Sequence, residues 1–204
     1  MISRVTSFIS RNPVTPILLV LMTLVLVSQI LVVGYSNSLF EFLFVGQDSI
    51  TPGLLLAPLS HGTILTHFLP NMMLLLVVGW PLEERLGSRS FTAFTATAAY
   101  IPTYLQIIYS TFTAGAVGTA GFSGAVYAFP PVLTCICLRD SHYTELGTVG
   151  SLAIGVTIAI PLQMTGILGL LLSSPLPPAE VTHTAGYLIG WSCGLILLTK
   201  NHQR

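Results

Sequence analysis

The sequence predicts an all-α membrane protein, a bundle of six spanning helices, and three observations predict it. Hydrophobic residues make up 52% of the 204 and charged residues only 7%, against roughly 25% charged in soluble domains. So few charges cannot cover a water-facing surface. Six apolar segments, at 14–34, 64–82, 91–110, 122–138, 147–172 and 182–199, each approach the roughly 20 residues that cross a bilayer as helix. The charges also sort by side. All seven basic residues (Arg4, Arg11, Arg85, Arg89, Arg139, Lys200 and Arg204) fall at the two ends of the chain or in the loops after segments two and four. Six spans put these four regions on one side. The other three loops hold Glu41, Asp48 and Glu180 and no Lys or Arg. The positive-inside rule then makes both termini cytoplasmic.

The elements follow in order. The first segment is longer than the ~7–15-residue core of a cleaved signal peptide, so it is read as a retained helix. A long first outer loop, 35–62, has apolar stretches from Leu39 to Val45 and from Leu54 to Leu59. Both are too short to span and are expected to lie in the interface or dip part way in. The second segment is expected to start near His67, because Pro70 sits most easily in a first helical turn. It ends in Leu82-Glu83-Glu84-Arg85-Leu86-Gly87-Ser88, a charged structural turn in which Gly87 stops the helix. The fifth segment is interrupted by Pro161. The connector Ser173 to Glu180 holds Pro175, Pro177 and Pro178 and is read as stiff and non-helical. No tandem repeat or low-complexity tract divides the chain, so residues 1–204 form one domain.

Several function classes drop out. Net charge is zero, so no polybasic surface favours nucleic acid. Cys135, Cys137 and Cys193 lie in apolar stretches without zinc spacing and read as small buried hydrophobes. No metal or cofactor is expected. An ion-coupled channel or transporter would call for paired charges inside the spans or for visible repeats. The spans contain no Asp, Glu, Lys or Arg.

Polar groups at membrane depth are costly and mark function. Ser123 stands at the head of segment four in Gly121-Phe122-Ser123-Gly124. In the first turn of a helix its N–H has no intrahelical partner, and the positive dipole end lies beside it. Gly121 and Gly124 permit close approach of backbone or substrate. Taken alone, the motif fits a small-residue helix contact better than a nucleophile. Segment six begins with His183 and carries Gly186, Gly190 and Gly194 every four residues, a stripe for close helix packing. His183 shares that face. Gly124 and Ala128 have the same spacing on segment four, so a meeting of the two stripes brings Ser123 toward His183. Tyr127, four residues after Ser123, is placed either to stack on the imidazole or to pack as an ordinary aromatic. His67 and Asn71 are four apart on segment two. Both can donate to one point, as oxyanion donors do, or serve as metal ligands or structural hydrogen-bonding groups.

The assembly resembles the rhomboid family of intramembrane serine proteases. The resemblance rests on His67-x-x-x-Asn71, the Glu83-x-Arg85-x-Gly87-Ser88 turn, Gly121-Phe122-Ser123-Gly124 with Tyr127, and His183-x-x-Gly186-x-x-x-Gly190. It covers about Pro58 to Leu198 in the family's order, and it implies a rhomboid-like bundle with a Ser–His dyad and no third acidic member. In that reading Ser123 is the nucleophile, and His183 is general base and then acid. His67, Asn71 and the Ser123 N–H hold the oxyanion, while Tyr127, Gly121, Gly124, Gly186 and Gly190 support the dyad. Implied substrates are single-pass membrane proteins, cut near the outer face of the lipid bilayer at small residues in segments that unwind easily. Two features depart from the family. The Trp-Arg pair frequent in its first loop is absent, and His61 precedes His67 by six residues where five is usual, so His61 receives no role. A non-catalytic rhomboid-like protein that binds membrane helices is the alternative. The short chain, without an organelle-targeting extension, leads us to expect a prokaryotic plasma membrane. A histidine titrating near pH ~6.5 predicts activity that falls with acid.

Overall fold

The computed structural model describes residues 10–113, 118–139, 143–163 and 176–200. These form nine α-helices: α1 Val14–Val33, α2 Asn37–Phe44, α3 Gly53–Leu56, α4 Leu69–Leu74, α5 Trp80–Leu86, α6 Ser88–Thr113, α7 Ser123–Arg139, α8 Tyr143–Gln163 and α9 Pro178–Lys200. Val14–Val33, Ile64–Leu86 and Pro178–Thr199 are long and apolar enough to cross a membrane, and Ser123–Arg139 and Gly150–Ile160 are shorter apolar helices. The expected 91–110 lies inside α6. Of the expected 147–172, residues 164–172 fall outside the described residues, and α8 contains a non-helical break at Gly147.

The core is built around α7, which is buried along nearly its whole length. Phe91, Phe122 and Phe129 are among its largest fully buried side chains. A polar seam ties α8 in: Thr134 Oγ1 and Thr157 Oγ1 are 3.0 Å apart, and the Tyr187 hydroxyl donates to the Thr157 carbonyl at 2.9 Å. The glycine stripe of α9 meets α7 as its spacing predicts. A Cβ added at Gly186 would strike the carbonyl of Gly124, and one at Gly190 would strike the carbonyl of Ala128. At Gly194 it would come 2.7 Å from Cys135 Sγ. Two backbones in contact leave no room for a side chain, so the stripe fixes how deep α9 sits.

One expected boundary is corrected and two readings are extended. The α-helix of the second span begins at Leu69 with Pro70 in its first turn, as expected, but the span itself begins earlier, at Ile64. A π-turn, Ile64–Phe68, precedes α4, closed by the Phe68 N–H on the Thr63 carbonyl at 2.9 Å. A π-turn holds one residue more than an α-turn. It absorbs the longer spacing after His61, whose ring remains 5.1 Å from that of His67. The connector Ser173 to Glu180 is not helix-free throughout: α9 starts at Pro178. Proline is well suited to a first helical position, where its missing N–H costs nothing. Glu83 does more than hold its own turn. It is fully buried and accepts from the Val14 and Thr15 N–H groups at 2.9 and 2.8 Å and from Ser88 Oγ at 2.7 Å. A carboxylate from the second span thus caps α1, where the helix dipole favours negative charge. Gly87 ends α5 with φ 75, a positive φ that glycine adopts without steric cost.

The first outer loop folds as α2 and α3 and is anchored through main chain. Gly46 and Thr119 exchange N–H···O bonds of 2.8 and 2.9 Å, and the Gly121 N–H donates to the Ala57 carbonyl at 2.8 Å. The Tyr100 hydroxyl donates to the Leu55 carbonyl at 2.8 Å. The loop without a Trp-Arg pair is therefore fastened to the strand of chain that leads into Ser123.

Candidate active site

Ser123 is the first residue of α7 and is 8% exposed. The chain reaches it through Gly121, whose φ is +142. A Cβ at Gly121 would also collide with Nε2 of His67. Glycine is thus required there twice, by backbone conformation and by the imidazole against it.

A cavity of about 640 Å³ opens at this end of α7. Ser123, His183, His67, Asn71 and Tyr127 all line it. The sequence-selected residues are therefore gathered from three elements that are distant in the chain. The ring of His183 lies flat on Tyr127, with centroids 4.3 Å apart and planes within 4°. Such stacking contributes about 0.5–1.5 kcal/mol and holds the imidazole in one plane. No Ser123–His183 hydrogen bond forms among the described residues, although both groups line the cavity. Catalytic hydrogen bonds are often long before substrate arrives.

The donors are better defined. The Gly62 N–H donates to Nδ1 of His67 at 3.3 Å. An accepting Nδ1 leaves the proton of the neutral ring on Nε2, the nitrogen beside Gly121 at the cavity. Asn71 is 4% exposed, and its Nδ2 has no hydrogen-bond partner. A buried amide without an acceptor costs about 1–3 kcal/mol; here it borders a space that a substrate oxygen can enter. The N–H of Ser123, at the helix start, lacks an intrahelical acceptor. His67, Asn71 and Ser123 thus bring three donor groups to the lining of one cavity.

Sequence reasoning missed Gln106 and Thr182, which also line the cavity. Thr182 Oγ1 donates to Oε1 of Gln106 at 2.5 Å, bracing α9 against α6. A glutamine inside an apolar segment was the available signal. His61, left without a role, packs its ring edge on His67 and on Phe68, centroids 5.2 Å from the latter. Among the described residues no group of three or more His, Cys, Asp or Glu is placed to hold a metal ion.

Residues 49–200 match the family model of the Rhomboid domain. No curated protein matches the chain. The match spans most of the sequence, from the first outer loop through α9, and includes every cavity residue argued above. This chain is an integral membrane protein, embedded in the lipid bilayer, and it belongs to the rhomboid family.

Proposed function

We propose that this protein is an intramembrane serine endopeptidase that hydrolyses peptide bonds in or near the transmembrane segments of single-pass membrane proteins. The observation that carries the reading is the convergence of Ser123, His183, His67 and Asn71 on one cavity, with the Asn71 amide unpartnered. Ser123 Oγ attacks the substrate carbonyl and passes its proton to His183. The oxyanion takes hydrogen bonds from His67, Asn71 and the Ser123 N–H. His183 then protonates the leaving amine, and water hydrolyses the acyl-enzyme by the reverse sequence of proton transfers.

The same reading makes six spans with both termini cytoplasmic, the arrangement favoured by the basic residues. The cavity then opens on the outer side. A prokaryotic plasma membrane is the proposed location.

The test is cleavage of single-pass membrane proteins in liposomes. Wild type is expected to release two fragments from a substrate with small residues near its outer end. Ser123→Ala and His183→Ala are expected to release none, at unchanged melting temperature. A folded wild type that binds membrane helices yet cuts none of them would instead fit the non-catalytic alternative.

A further inference from the structure

The family resemblance implies a dyad with no acidic third member, but this chain places a carboxylate beside its histidine. Glu180 lies three residues before His183 on the first turns of α9, and its Oε2 is 3.9 Å from His183 Nδ1. That oxygen is buried and has no hydrogen-bond partner. The two side chains are 18% and 22% exposed, so water screens the contact only in part. Tyr127 covers one face of the imidazole, which limits the ring to its own plane. With Nδ1 turned to Glu180, Nε2 is the nitrogen left for Ser123.

Resting on the protease reading, we infer that Glu180 is a positioning residue: its carboxylate accepts the Nδ1–H of His183, selects the tautomer with a free Nε2, and balances the imidazolium that forms when Ser123 gives up its proton. Closing the gap by about 1 Å reaches the ~2.8 Å of a charge-assisted bond. In the attack on a carbonyl, the Ser123 Oγ–H proton goes to Nε2 and the Oγ–C bond forms. Nδ1–H stays on the ring throughout, held by Glu180, and the Nε2 proton leaves on the amine when the C–N bond breaks. Aqueous imidazole has no neighbour to choose between its tautomers, whereas a carboxylate on one side makes the choice. The other titratable groups lining the cavity around His183 are His67 from the second span and Tyr127 from α7. Neither is a carboxylate, so this role falls to Glu180 among the described residues.

The test uses the full chain in detergent with a fluorescent fluorophosphonate. Ser123 Oγ displaces fluoride from phosphorus in that reaction, and its proton passes to His183. Wild type, Glu180→Ala, Glu180→Gln and Ser123→Ala are compared for labelling rate. The ¹⁵N spectrum of His183, assigned by its loss in His183→Ala, reads the tautomer. The expected result is Ser123-dependent labelling slowed at least about 10-fold in Glu180→Ala, a modest effect beside the ~10⁴-fold of a fully buried triad carboxylate. The His183 signal should move from the Nδ1–H form to a mixture. Glu180→Gln keeps an accepting oxygen but no charge; it is expected to keep the tautomer and recover part of the rate. It also decides the matter if Glu180→Ala fails to fold. Labelling within about twofold of wild type, or a slower rate with an unchanged tautomer, overturns the role of Glu180 and leaves the protease reading standing. A folded wild type that does not label overturns both.

Discussion

The second span, Ile64–Leu86, carries a polar cluster at each end, and the two are finished differently. At the α5 end, each Glu83 oxygen accepts a hydrogen bond, and the donors come from α1 and the start of α6. At the other end, His67 and Asn71 face a cavity, and the Asn71 amide nitrogen donates to nothing. Burial exacts a desolvation cost from both, larger for a carboxylate than for a neutral amide. The first cluster recovers it inside the fold and serves as a structural tie. In the second, the Asn71 amide leaves it unrecovered until something enters the cavity. Between these two clusters, the saturated carboxylate of Glu83 marks a tie that holds the fold together, and the open amide of Asn71, at the cavity, marks a group that a substrate can use.

Breaking the saturated cluster should produce the larger effect on stability. Glu83→Ala strands the Val14 and Thr15 N–H groups and the Ser88 hydroxyl. At about 1–3 kcal/mol for each stranded group, with partial relief by water, we expect a loss of about 3 kcal/mol. Thermal unfolding in mild detergent would read it, and activity per folded molecule should stay near wild type. Asn71→Ala should behave in the opposite way. It removes an amide that has no partner in the resting fold, so the melting temperature should hold or rise slightly. Turnover should drop about 10- to 1,000-fold, as for a lost oxyanion donor. If Asn71→Ala melted early with normal turnover, the contrast between the two clusters would collapse.

His61 sharpens the comparison through pH. It lies in the loop ahead of the span and is 2% exposed. Burial, and then the neighbouring His67, lower its pKa to about 4. An unfolded histidine titrates near pH ~6.5. Between these values the unfolded chain binds a proton that the folded one excludes, so stability rises with pH. We expect the protein to be fully stable above about pH 6.5 and to lose stability as the pH falls toward about 4. Denaturation midpoints across that range would check it, and His61→Asn should flatten the dependence.

Much of this was legible in the chain because it was periodic. The four-residue spacing of Gly186, Gly190 and Gly194 announced a seam, and Gly124 and Ala128 answered it at matching spacing. Those residues set the approach of α9 to α7, and with it the placement of Ser123 and His183 on one cavity. Gly87 as a helix stop and Ser123 as a helix start were equally local signals. What stayed hidden was either non-local or carried by main chain. Nothing near Glu83 indicates that its partners are Val14 and Thr15. The Gly46–Thr119 bridge has no side-chain signature, so the missing Trp-Arg pair left the anchoring of the outer loop unread. The π-turn at Ile64–Phe68 was hinted at only by the extra residue between His61 and His67. Glu180 was assigned to a loop because Pro178 was read as a helix breaker, although proline also opens helices. That misplacement hid its position one turn ahead of His183.

The most direct test of the central claim is whether Ser123 is an activated nucleophile. Wild-type protein in mild detergent, treated with a fluorescent fluorophosphonate beside Ser123→Ala and His183→Ala, should label, and both folded variants should not. Labelling that survives in either variant, or a folded wild type that stays unlabelled, would contradict a Ser123–His183 dyad.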